Sequence, residues 1–228
     1  SKQNMLHLFT WLSPSFPEGA YIFSHGLEFA VENGQVTGPN LLQTWIEAIL
    51  LYGNARNDSI FLSATWKVVN DENDSQFIQI LEKSRAHQPT SEIANESCAQ
   101  GKAFLDAICT SWELPQITHL SDLIAKEGKT VSYPVAVGIA AASHRIPLNT
   151  TLLAYINAFS SNLISAGIKL IPIGQQAGLR VLFNLSSTII NSSESASAAT
   201  LEDLGSSTNF VDWASASHET QITRLFRS

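Results

Sequence analysis

Apolar residues recur at intervals of three and four along nearly the whole chain, the period of helices that turn one face to a core. A first short helix is predicted over Met5–Leu12, stopped at Ser13-Pro14. Two prolines and a glycine fall between Ser13 and Ala20, which makes that stretch an ordered loop. Ser24 is placed to cap a helix running to Glu32, with Gly34 as its stop. Pro39-Asn40 opens a longer helix whose inward stripe is Leu42, Trp45, Ile49 and Tyr52. The pattern weakens at Gly53-Asn54 and resumes through Leu62, Trp66 and Val69. Asn70–Asp74 reads as a polar turn, with Asp74 or Ser75 capping a helix that turns Phe77, Ile80 and Leu81 inward. After Pro89-Thr90-Ser91 a helix runs through Ala103, Phe104, Ile108 and Trp112 and ends at Pro115.

Gly128 marks another break. Tyr133-Pro134 starts a helix, since proline suits the first helical position. Its small residues, Gly138 and Ala142 beside Val135 and Ile139, suit a central element that neighbours approach closely. Asn149 or Thr150 is placed to cap the longest helix, with Leu152, Ile156, Phe159, Leu163, Ala166 and Leu170 as its packing seam. Pro172 and Gly174 interrupt it. Residues 186–200 are rich in Ser, Ala and Thr and read as a frayed helix or a linker. Strand alternation is scarce, and no Asn-Gly or Asp-Gly hairpin between alternating runs is found. The expectation is an all-α chain, a single helical-bundle domain over 1–228 of about ten helices. Residues 1–23 form its N-terminal segment and loop, and 205–228 a tail.

With 228 residues, 44% of them hydrophobic, the chain can bury a substantial core without staples. No run of ~18 apolar residues suggests a membrane span. Ser1 to Met5 has no basic stretch leading into an apolar core, so it does not read as a secretory signal. Twenty acidic residues against thirteen basic give a formal charge of −7, the wrong balance for a nucleic-acid binder. Only 14% of residues are charged, so much of the surface must be uncharged, as in a protein that works inside a complex. Cys98 and Cys109 lie three helical turns apart, about 16 Å on one helix, too far to bridge. They read as small buried thiols.

Candidate chemistry is sparse. No two of the six histidines, His7, His25, His87, His119, His144 and His218, lie three or four residues apart, and no HxH or CxxC occurs. The spacing of a metal site is therefore missing. Ser24, His25 and Glu28 hold a hydroxyl, an imidazole and a carboxylate. Neighbours on one helix point about 100° apart, so Ser24 reads as a cap and Glu28 as a first-turn carboxylate favoured by the dipole. Gly174-Gln175-Gln176-Ala177-Gly178 lacks the Lys-Ser/Thr and preceding strand of a phosphate loop.

Four stretches then point to a family. Ser13-Pro14-Ser15-Phe16-Pro17-Glu18-Gly19-Ala20-Tyr21-Ile22-Phe23-Ser24-His25-Gly26-Leu27-Glu28 closely resembles the N-terminal signature of UreF-type urease accessory proteins. Tyr133-Pro134-Val135-Ala136-Val137-Gly138, Lys169–Arg180 and the tail His218–Ser228 resemble later stretches of that family in the same order. Glu18, Ala20, Lys169, Ala177 and Leu179 depart from its usual residues. The resemblance implies a cytoplasmic, non-enzymatic, all-α homodimer that acts as a chaperone in nickel insertion and urease maturation. It implies UreD/UreH, the GTPase UreG and the urease apoprotein as partners, with nickel and GTP handled by those partners and no cofactor held by this chain. The partner-interface candidates it marks are Ser24, His25 and Glu28; Lys169, Pro172, Gly174, Gln175 and Arg180; and His218, Glu219, Arg224, Leu225, Phe226 and Arg227. Gly174 and Gly178 would expose backbone for close approach. Leu225 and Phe226 between Arg224 and Arg227 make the tail a docking peptide. The competing reading is a helical interaction scaffold unrelated to urease.

Overall fold

The computed structural model describes residues 1–17, 26–88 and 90–205. Among them it contains eleven α-helices, a closing 3₁₀ turn and no strand. The helices are α1 Lys2–Trp11, α2 Leu27–Glu32, α3 Pro39–Tyr52, α4 Asn54–Asn70, α5 Asp74–Ala86 and α6 Ser91–Ser111. They continue as α7 Pro115–Lys126, α8 Tyr133–Ser143, α9 Leu148–Leu170, α10 Gly174–Asn184 and α11 Ser186–Ala198.

The small helix α8 is the hub. Every residue from Pro134 to Ala142 is buried, so it is apolar all round, as an enclosed helix must be. α4 packs along one side and α6 along another. Two glycines set these distances. A Cβ at Gly138 would lie 2.9 Å from Thr65 Cβ and 3.0 Å from the Leu62 carbonyl oxygen. A Cβ at Gly101 of α6 would lie 2.3 Å from the Val131 carbonyl oxygen, at the entry to α8. Outside this centre, α9 packs on α4, α3, α10 and α11, and Leu152, Ile156, Leu163 and Ala166 of its predicted seam are buried.

Several boundaries differ from the sequence expectation, each for a local reason. The first helix spans Lys2–Trp11, with the Ser1 side chain accepting from the Asn4 N–H. α2 begins at Leu27, after Gly26 at φ 76°, so its cap position is Gly26 and not Ser24. The α5 cap is Asn73, whose side chain accepts from the Gln76 N–H at 3.0 Å. Asp74 instead pairs with His119 at 2.9 Å. α9 starts directly after Pro147 with no side-chain cap, and Asn149 Oδ1 accepts from the Ser197 hydroxyl. Pro115 does not end α6, which stops at Ser111; it opens α7. Tyr52 is exposed, and Ile46 and Leu50 complete the buried face of α3. Cys98 and Cys109 are free and half-buried. Residues 186–198 are a helix rather than a linker, because Ile189, Ser192, Ser193 and Ala196 are buried in contact with α9, α4 and α3.

One core carboxyl is anomalous. Asp58 on α4 is buried, and Gln88 Nε2 donates to it at 3.0 Å. Burial outweighs that hydrogen bond and pushes its pKa from 3.8 to about 7.

Two outcomes follow. Gly101→Ala forces a methyl into backbone atoms and lowers the unfolding free energy by about 1–3 kcal/mol in denaturant titration; a change within error would refute the close approach. The raised Asp58 pKa means that the fold binds the proton better than the unfolded chain does. Its contribution is therefore full below pH 3.8 and is lost as pH rises through about 7. Over that window wild-type stability falls relative to Asp58→Asn by up to about 4 kcal/mol; parallel pH profiles for the two proteins would contradict the assignment.

Candidate interaction surface

The predicted contact residues divide into three groups. Lys169, Pro172, Gly174, Gln175 and Arg180 are all exposed and cluster at the junction of α9 with α10. Proline at 172 and a left-handed Gly174, φ 71°, end one helix and start the next at an angle. Glu28 is buried in the first turn of α2, so this fold turns it inward. Ser24, His25, His218, Glu219, Arg224, Leu225, Phe226 and Arg227 lie outside the described residues.

Gly178 corrects an expectation. A Cβ there would meet Ile168 Cδ1 at 2.4 Å, so the chain's own α9 occupies the space that a partner was expected to use. The inward side of α10 carries Gly178 and Val181. That register turns Gln175, Leu179 and Phe183 outward in one line, with Gln176 and Arg180 beside it. Leu179 is 67% exposed and Phe183 77%, an unusual exposure for two large apolar side chains one turn apart. Sequence reading noted Leu179 only as a departure and missed Phe183. The i, i+4, i+8 spacing of 175, 179 and 183, opposite Gly178 and Val181, was the available signal.

The descent from α11 forms a second built region. Lys67 Nζ donates to the carbonyls of Ser197 at 2.9 Å and Ala199 at 3.3 Å. The Thr200 N–H and hydroxyl both donate to Asp203 Oδ2, at 2.8 and 3.1 Å. These two bonds, assisted by Arg56, hold the Asp203 carboxyl below the usual carboxylate range. Arg56 Nη1 donates to the Asp203 carbonyl at 2.7 Å, and the Gly205 N–H donates to Asn57 Oδ1 at 3.1 Å. Leu201 and Leu204 pack against the core.

The fold also joins two histidines that sequence spacing kept apart. The rings of His7 and His144 lie 5.0 Å apart, with Trp11 stacked on His7 at 5.0 Å. Burial lowers both pKa values, and His7 lowers that of His144 further. No group of three or more His, Cys, Asp or Glu side chains able to hold a metal ion occurs among the described residues. No helix among them is long and apolar enough to cross a membrane.

Comparison with known proteins gives a concordant result. The UreF family model matches residues 36–186. A urease accessory protein UreF of Rhodopseudomonas palustris strain BisB5 is 41% identical over 225 residues, covering 99% of this chain and 91% of the relative. The UreF of Xanthobacter autotrophicus is 40% identical over 225 residues, at 99% and 91% coverage. The UreF of Methylorubrum populi is 39% identical over 223 residues, covering 98% of both chains. Similarity of this extent, on an all-helical fold, means that the chain belongs to the UreF family.

Proposed function

We propose that this protein is a urease accessory protein, a non-catalytic scaffold for insertion of nickel into the urease active site. The observation that carries the reading is the full-length similarity to proteins named urease accessory protein UreF. The architecture supports it: the polar groups brought together serve packing and capping, and the distinctive exposed features are surfaces. The scaffold works in the cytoplasm, holds UreD/UreH, and through it engages UreG and the urease apoprotein. Nickel and GTP are carried by those partners.

Two surfaces divide the work. The tail, with Arg224, Leu225, Phe226 and Arg227, docks on UreD/UreH. The α10 face carries self-association, because Leu179 and Phe183 form an apolar stripe edged by Gln175 and Arg180. A patch of that kind matches itself across a two-fold axis, and stable homodimer contacts are more apolar than transient ones.

Deleting residues 208–228 is expected to abolish co-purification with UreD/UreH while leaving the helical core folded, with its cooperative thermal transition retained; full co-purification of the shortened chain would overturn the tail assignment. Leu179→Ser with Phe183→Ser should convert the dimer to monomer in analytical ultracentrifugation. Because both residues are exposed in the single chain, the fold of the monomer itself should shift by no more than about 0.5 kcal/mol for each, apart from the stability that dimerisation adds. A variant that stays dimeric would remove α10 from the self-association contact.

A further inference from the structure

After α11 ends at Ala198 the chain does not simply leave the bundle. Residues 199–205 are folded back along α4, and three side chains of α4 hold their backbone. Lys67 grips the end of α11 through the Ser197 and Ala199 carbonyls. Arg56 holds the Asp203 carbonyl. Asn57, itself buried, accepts from the Gly205 N–H. The segment is also braced from within by the Thr200–Asp203 capping box. These contacts reach the backbone of 197–205, so what they fix is a path through space. Because α4 packs against the hub helix α8, the end of that path is tied to the rigid centre of the molecule. Residues 206–228 start from there.

We infer that Arg56, Asn57 and Lys67 form a clamp that sets the position from which the tail departs, and so act as positioning residues for partner docking. This rests on the proposal that the tail binds UreD/UreH. A tail that docks while the body also touches the partner gains from a fixed root, since the second contact then forms at high effective concentration. Freeing residues 199–205 would add their ordering entropy to the cost of binding. The clamp touches no partner itself. Its effect is felt only when tail and body belong to one chain.

The test compares full-length variants binding UreD/UreH by titration calorimetry. Arg56→Ala with Asn57→Ala is expected to weaken binding about tenfold. Arg56→Lys, which keeps a donor for the Asp203 carbonyl, should bind close to wild type. A short Gly-Ser insertion directly after Gly205 leaves every clamp contact in place yet uncouples root from tail. It should cost a similar factor with an unchanged unfolding temperature, which a purely stabilising role for the clamp would not produce. The insertion decides the matter if the double alanine variant fails to fold. Leu225→Ala with Phe226→Ala reports on the tail itself. If that variant binds weakly while the insertion binds like wild type, the clamp inference fails and the tail assignment stands. If it binds like wild type, the tail assignment fails and the clamp inference falls with it.

Discussion

The structure depends on how closely two helices approach α8. Hydrogen at Gly138 lets the Thr65 side chain and the Leu62 carbonyl reach the α8 backbone. Hydrogen at Gly101 does the same for the chain entering α8 at Val131 and Ser132. Interiors are close-packed, so an added methyl has nowhere to go except by moving backbone. α4 and α6 are thereby held against one central rod, and α9 then closes over α4 with α10 and α11 on its outer side. With the centre enclosed in this way, the outer turns of α10 and the end of α11 are left at the periphery.

That arrangement explains why a helical bundle suits a scaffold. The buried hydroxyls of Ser59, Thr65 and Ser160 donate to carbonyls one turn back on their own helices, which satisfies them inside the core. The parts that stand out are an apolar outer stripe on α10 and a backbone stretch, 197–205, held by side chains of α4. On the proposed function, both serve to hold another protein in a defined position.

Much of this was legible in the sequence. Prolines and glycines sit at the breaks because proline cannot donate within a helix and glycine tolerates left-handed backbone. Pro134 and the small residues after it announced a central helix, and the seam of α9 followed its period. The misses have physical causes. Ser-rich 186–198 left a frayed helix and a linker equally open by composition, and packing of Ile189 and Ala196 decides for the helix over weak intrinsic propensity. Caps shifted by a residue or more because any of several adjacent polar groups could serve, and the backbone chose Asn73. The outward stripe of Leu179 and Phe183 was hidden because apolar residues are assumed to face in. The pairing of His7 with His144 and of Asp58 with Gln88 joins distant positions that no local spacing announces.

The most direct measurement is nickel-dependent activation of urease reconstituted from the apoprotein, UreD/UreH and UreG, with and without this chain. A maturation scaffold predicts a stable complex and activation that requires the chain. Equal activation in its absence, with no complex formed, would contradict the urease role and leave a helical scaffold serving some other assembly.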